Sequence, residues 1–192
     1  MSTTAEVQHL AVRSPVDGRL VDSVPMDTAP EVARMAEALR EAQGDWAAAG
    51  PRRRAEWLRR WRDWILAHTD ELTDLLMAET GKVRPDALVE TTASCEFISY
   101  YADHAVEFLA DRPAKSSGLL SLPKRLSTSF HPHPLVGIIT PWNFPVTLFL
   151  MDAAPALAAG CAVITKSSEE TPLTCARLIA GWAEIGAPAV LA

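Results

Sequence analysis

Two polar clusters in the sequence combine residue types that can do chemistry. Thr140-Pro141-Trp142-Asn143 follows the apolar run Leu135–Ile139, and Lys166-Ser167-Ser168-Glu169 follows the apolar run Cys161–Thr165. Pro141 and Pro145 bracket Asn143 and stiffen its turn, so its carboxamide is held in one direction. A fixed N–H donor at the end of a strand is what an oxyanion hole needs. Asparagine also caps its own backbone in turns, and spacing alone favours that local role. Lys166 and Glu169 pair an ammonium donor with a carboxylate acceptor just ahead of Thr171-Pro172, a helix opening. Such a pair can grip the two hydroxyls of a ribose, although a solvated charged turn is the commoner occurrence. Gly137 and Gly160 stand alone, so no G-x-G-x-x-G is present.

The elements that must position these clusters are legible from periodicity. Two short β-branched runs joined by the apolar helical segment Val146–Ala159 predict a βαβ unit with parallel strands. Both clusters then fall at the carboxyl ends of neighbouring strands, where ligands of open α/β sheets bind. Upstream, Asp17-Gly18 predicts a hairpin. Thr28 and Glu31 predict a capping box opening a helix whose buried face is Val32, Met35, Ala36 and Leu39. Residues 52–67 predict a second helix with Trp57, Leu58, Trp61, Trp64 and Ile65 on its apolar side and its arginines in solvent. Thr69 is expected to cap a third helix that Gly81 stops. From Pro85 one long helix is expected, ended by Arg112-Pro113, with Leu88, Cys95, Ile98, Tyr101, Ala105 and Phe108 on its buried stripe. Lys115–Pro134 suits a β-hairpin or projecting ribbon. His131 and His133 would share a face of it, but no further ligand type lies near, so a metal site is not expected.

Composition bounds the function classes. The chain has 192 residues, 48% of them apolar and 22% charged, which suits one soluble globular domain. A net charge of −6 argues against nucleic acid or an acidic membrane as partner. Asp152 and Pro155 interrupt the longest apolar stretch, so no membrane span is expected, and the N-terminus shows no secretory pattern. Cys95, Cys161 and Cys175 are widely spaced and odd in number, which predicts free thiols in a reducing, cytoplasmic setting.

The stretch P-L-V-G-I-I-T-P-W-N-F-P followed by A-G-C-A-V-I-T-K-S-S-E-E-T-P resembles the aldehyde dehydrogenase superfamily. So do E-T-G-K at Glu79–Lys82, the helix through Tyr100-Tyr101-Ala102, and D-W-A-A-A-G-P-R-R-R at Asp45–Arg54. Within the superfamily the succinate-semialdehyde and general aldehyde branches are most similar. The resemblance implies an α/β fold: helices leading into an incomplete Rossmann-like parallel sheet, with a β-hairpin ribbon at 115–134 for oligomerisation. It makes residues 1–192 the N-terminal part of an NAD(P)-binding domain. Asn143 matches the asparagine that stabilises the oxyanion. Thr140, Pro141 and Trp142 match the turn along the cofactor, and Lys166, Ser168 and Glu169 match the residues at the adenosine ribose. Ser167 replaces the proline usual between lysine and serine. Glu169 disfavours a 2′-phosphate and points to NAD, while Lys166 and the serines leave NADP open. The implied substrate is a small aldehyde, and the intact enzyme is expected to be a homo-oligomer. The family's nucleophilic cysteine and general-base glutamate would lie beyond residue 192, so the chain alone is expected to be inactive and its sheet to stop after two strands. The alternative is a truncated, non-catalytic remnant that binds nucleotide or associates with a full-length partner.

Overall fold

A computed structural model describes residues 8–116, 118 and 123–192. Strands β1 (His9–Arg13) and β2 (Leu20–Pro25) pair antiparallel about a turn in which Gly18 takes φ +73°, the left-handed value that favours glycine. Helix α1 (Ala29–Ala48) follows Thr28, whose N–H donates to the Glu31 carboxylate at 2.7 Å. That is the return half of the expected capping box. Helices α2 (Gly50–Ala67) and α3 (Thr69–Thr80) follow, and Gly81 at φ +74° stops α3 as expected.

Several expectations are corrected. Thr69 does not cap α3; His68 holds the cap position, and the Thr69 hydroxyl donates to the Ile65 and Leu66 carbonyls at 3.3 and 2.8 Å. With one residue between the helices, that hydroxyl serves the end of α2 instead of the start of α3. The long helix from Pro85 is two, α4 (Arg84–Ala93) and α5 (Cys95–Phe108), joined at Ser94. The hydroxyls of Thr91, Thr92 and Ser94 bond the carbonyls four residues back at 2.9, 2.8 and 2.6 Å, a pattern that bends helices. In α4 the inward positions are Ala87, Glu90 and Thr91, and Leu88 is 38% exposed.

Arg54, expected in solvent with the other arginines of α2, is buried. Its guanidinium donates to the carbonyls of Trp46 and Ala47 at the end of α1, and to those of Ala158 and Ala159. The last two close helix α6 (Pro145–Ala159). Two helix ends with orphan carbonyls and negative dipole ends converge there, which suits a five-donor cation.

Strands β3 (Arg112–Ala114) and β4 (Leu126–Thr128) form the two-stranded antiparallel ribbon, and residues 117 and 119–122 of that segment lie outside the described residues. The ribbon starts at Arg112 and its pairing ends at Thr128, short of the expected Pro134. His131 and His133 are therefore not in a strand, since Pro132 and Pro134 remove ladder donors around them. Among the described residues no cluster of three His, Cys, Asp or Glu is placed to hold a metal. Among them, too, no helix is long and apolar enough to cross a membrane.

The predicted βαβ unit is present. β5 (Leu135–Ile139) and β6 (Ala162–Lys166) run parallel from Leu135↔Ala162 to Ile139↔Lys166, with α6 between them in sequence. Helix α7 (Pro172–Glu184) then leads to a third parallel segment. Val163 N–H donates to Val190 C=O at 2.8 Å, and Ala192 N–H to Val163 C=O at 3.0 Å. The sheet itself holds two strands, β5 and β6, as expected, and Val190–Ala192 adds an isolated parallel bridge to β6 at Val163↔Leu191.

The core lies where α1, α2, α6 and α7 meet. Trp182 meets Trp46 and Trp61 edge-on at centroid distances of 5.7 and 5.4 Å. The three indole N–H groups donate to the Leu157, Leu178 and Pro188 carbonyls at 2.7–3.0 Å, so each large ring is buried without an orphan donor. At the α2–α7 crossing, a Cβ on Gly181 would land inside the Trp64 ring. That ring cannot yield: it stacks on His68 at 4.1 Å, lies under the Arg177 guanidinium, and donates to Glu184 at 3.0 Å. Gly181→Ala should therefore lower stability by about 1–3 kcal/mol through overpacking, although alanine is the better helix former. Urea unfolding measures it, and an unchanged or raised midpoint would show that the crossing adapts.

Candidate functional site

The register of β5 and β6 sets the site. Ile139 pairs with Lys166, and the Thr140 N–H donates to the Lys166 carbonyl at 3.1 Å, so the two polar turns leave the sheet side by side. Thr140 itself is buried, its hydroxyl 4.0 Å from the Cys175 thiol, while Pro141, Trp142 and Asn143 are exposed. The Asn143 carboxamide takes part in no hydrogen bond to another described residue. The local capping role that spacing favours is thus not what the turn shows, and Asn143 is exposed.

At the end of β6, Lys166 Nζ and Glu169 Oε1 are 2.7 Å apart, both more than half exposed. Lys166 holds the Glu169 carboxyl below the usual carboxylate range. The Ser168 hydroxyl accepts the Glu170 N–H at 3.2 Å and fixes the bend, whereas Ser167 contributes its carbonyl to Lys166 at 3.3 Å. Residues 166–169 border an open groove of ≈ 510 Å³. Its other walls are Val24 and Met26 from the end of β2, Val32 and Met35 of α1, and the bare sheet face at Ile139 and Ile164. Ile139 is 79% exposed and Val32 42% exposed. Val32 was expected on the buried face of α1; it lines this groove instead, since the sheet face opposite has no helix over it at that point. An apolar floor with a charged lip of this size suits a small planar ligand carrying hydroxyls.

The starts of α6 and α7, directly after the two turns, are each closed by a buried carboxylate. Glu90 Oε1 accepts the Val146 and Thr147 N–H groups at 3.0 and 3.3 Å, and its other oxygen is paired with Lys82. Glu79 accepts the Leu173 and Thr174 N–H groups at 2.8 and 3.0 Å and the Thr174 hydroxyl. Helix N-termini attract anions, and here α3 and α4 supply the anion internally. The missing glycine-rich fingerprint fits this, because neither helix start is left open to a phosphate. Burial pushes the Glu79 carboxyl above its ordinary pKa, against the bonds from Thr174 and Leu173, which pull it down. Neither role was read from the sequence, although Glu79 stands in the E-T-G-K motif that carries the family resemblance.

Residues 2–192 match the Aldehyde dehydrogenase family model. The chain belongs to that family. A Mycobacterium bovis (strain BCG / Pasteur 1173P2) protein that bears the provisional name NADP(+) succinate-semialdehyde dehydrogenase 2 is 40% identical over 166 residues, covering 84% of this chain and 32% of its own length. The crystal structure of succinate-semialdehyde dehydrogenase from Burkholderia pseudomallei superposes with a TM-score of 0.90 at 31% identity, over 96% of this chain and 38% of that one. An NAD-dependent benzaldehyde dehydrogenase from Corynebacterium glutamicum gives a TM-score of 0.88 at 26% identity, over 97% and 40%. The chain thus spans about a third of the length of the curated relatives it matches. Its mixed α/β architecture is the N-terminal part of the aldehyde dehydrogenase fold.

All three cysteines of this chain are free and buried. Burial pushes the Cys95 thiol up to about 11 and the Cys175 thiol up to about 12, and raises Cys161 as well. A thiol that stays protonated and out of reach is a packing residue, not a nucleophile.

Proposed function

We propose that these 192 residues are the N-terminal part of an NAD(P)-binding domain, and that they supply the cofactor cleft and the oxyanion donor for oxidation of an aldehyde to a carboxylic acid. The observation that carries the reading is that the turn holding the exposed Asn143 and the turn holding the Lys166–Glu169 pair leave neighbouring parallel strands at the Ile139↔Lys166 register. Glu169 would accept from the ribose hydroxyls and Lys166 would donate to them, above the apolar floor of the groove. The pair borders the groove and is more than half exposed, which supports that reading. The nicotinamide, when bound, supplies the hydride acceptor. Asn143 would donate to the oxygen of an aldehyde under attack by a thiolate, at the thiohemiacetal that precedes the thioester. That thiolate and the base that activates water would come from outside these residues, since Cys95, Cys161 and Cys175 are buried. Thr140, Pro141 and Trp142 would hold the turn along the cofactor.

NAD is the cofactor the carboxylate of Glu169 favours. Lys166, Ser167 and Ser168 would serve NADP, which the printed name of the mycobacterial relative carries. The β3–β4 ribbon, exposed along β3, is the natural contact between copies in a homo-oligomer. A second reading, a non-catalytic chain that binds nucleotide or joins a full-length partner, is favoured by the burial of every cysteine.

In the intact protein, Asn143→Ala should lower kcat roughly 10²- to 10³-fold with nucleotide affinity unchanged. Residues 1–192 alone should form no NADH or NADPH from aldehydes but should bind the nucleotide. Turnover by the chain alone, or an Asn143→Ala enzyme at full rate, would sink the first reading. An intact protein that binds nucleotide without any aldehyde turnover would support the second.

A further inference from the structure

Asn143 makes no bond of its own among the described residues, so something else must fix its direction. The next four residues are Phe144, Pro145, Val146 and Thr147. Pro145 has no N–H, so Val146 and Thr147 offer the first two free amides of α6, and both go to one oxygen of Glu90. The other oxygen of Glu90 is paired with Lys82, whose Nζ stands 4.1 Å from the centre of the Phe144 ring. The Glu90 carboxylate is 1% exposed, and its pairing with Lys82 keeps that buried charge balanced. Ser94 completes the anchor: its hydroxyl donates to the Glu90 carbonyl at 2.6 Å and meets the Thr147 hydroxyl at 2.9 Å. Three of the four residues after Asn143 are thus gripped from α4 and the Gly81–Val83 link that leads into it.

We infer that Glu90, together with Lys82, positions the Asn143 turn: the ion pair couples the first amides of α6 to the Phe144 ring and so sets where the carboxamide points. A charge-assisted acceptor holds two amides more firmly than a neutral one, and the cation over Phe144 ties the ring to the same carboxylate. Glu90→Gln keeps an oxygen for the amides but removes the charge that holds Lys82. Lys82→Met keeps the length and removes the cation from Phe144. Either change should release the turn while the tryptophan core stays intact. The catalytic half of this inference rests on the oxyanion role proposed for Asn143; the geometric half does not.

The test has two readouts. In ¹⁵N spectra of the 192-residue chain, the Asn143 carboxamide, assigned through Asn143→Asp, should shift in Glu90→Gln and in Lys82→Met. It should stay put in Glu96→Gln, an exposed position on α5, with the indole N–H signals of Trp46, Trp61 and Trp182 unchanged throughout. In the intact protein, each variant should lose roughly 10- to 100-fold in kcat with KM for the nucleotide unchanged. Glu90→Gln combined with Asn143→Ala should be no slower than Asn143→Ala alone. If Glu90→Gln disperses the indole signals, Lys82→Met decides. An unmoved Asn143 carboxamide in a folded variant, or losses that multiply in the double variant, would overturn the inference. An intact wild-type protein without aldehyde activity would instead overturn the functional reading, and the spectra would still decide this one.

Discussion

Arg54→Ala should destabilise the chain by about 3 kcal/mol, the largest loss expected from one side chain, because it strips bonds from two helix ends at once. The accounting is specific. The closing carbonyls of α6 are taken by Trp46 at Leu157, Arg54 at Ala158 and Ala159, and Gln43 at Gly160, while the Cys161 N–H returns to Ala156. Removing Arg54 leaves two of these, and two more from α1, facing a cavity. Lysine cannot replace it, since one ammonium cannot span the same fork of carbonyls, and Arg54→Lys should recover only part of the loss. Gly160 is bound to the same site: its φ of +100° favours glycine, and a Cβ there would stand 3.1 Å from the Arg54 guanidinium carbon. The measurement is urea unfolding followed by tryptophan fluorescence, where a loss of this size moves the midpoint by about 1–2 M. A shift below about 0.3 M would mean that water satisfies those carbonyls without help. Because α6 ends where β6 begins, the same variant should also loosen the strand that carries Lys166 and Glu169.

Glu79→Ala should cost about 2–3 kcal/mol at neutral pH, since it leaves the Leu173 and Thr174 amides without a partner at the buried start of α7. The pH dependence is the sharper test. Burial raises the folded-state pKa of Glu79 above its ordinary value of 4.5, so between that value and the raised one the folded chain holds a proton that the unfolded chain has released. The contribution is therefore fully present below about 4.5 and is lost as pH rises through the folded-state pKa. Glu71 behaves oppositely: Arg177 holds its carboxyl below the usual range, so its contribution is present above the ordinary pKa and disappears as the solution is acidified. Comparing wild type with Glu79→Gln across pH 4–7 cancels Glu71 and isolates Glu79. The stability of wild type relative to this variant should decrease as pH rises. A relative stability that increases with pH would show that the bonds from Thr174 and Leu173 outweigh burial, and that Glu79 is an ordinary ionised cap.

Local signals carried the frame of the molecule. The hairpin at Gly18, the Thr28–Glu31 box, the Gly81 stop and the β5–α6–β6 unit each depend on residues a few positions apart, so period and turn chemistry reveal them. The same holds for the starts of the two polar clusters: the βαβ pattern sets Ile139 beside Lys166, and Thr140 bonds to Lys166 where the turns begin. The family resemblance rested on those same residues, and the match over residues 2–192 agrees with it.

Tertiary structure decided which charges are buried. Glu79 meets its partners 94 and 95 residues away and Glu90 at 56 and 57, while Arg54 reaches 104 and 105 residues along the chain. A glutamate or an arginine in a helix reads as solvent-facing until a helix end from a distant segment arrives to bond it, because only that partner offsets the cost of taking the charge out of water. Val32 and Leu88 show the apolar counterpart: periodicity gives a face, but only the neighbour that packs against it, or its absence, determines whether that face is covered. The sequence determined what the two turns carry and that they lie together. The packing of α3 and α4 beneath them decided that their helices start on internal carboxylates.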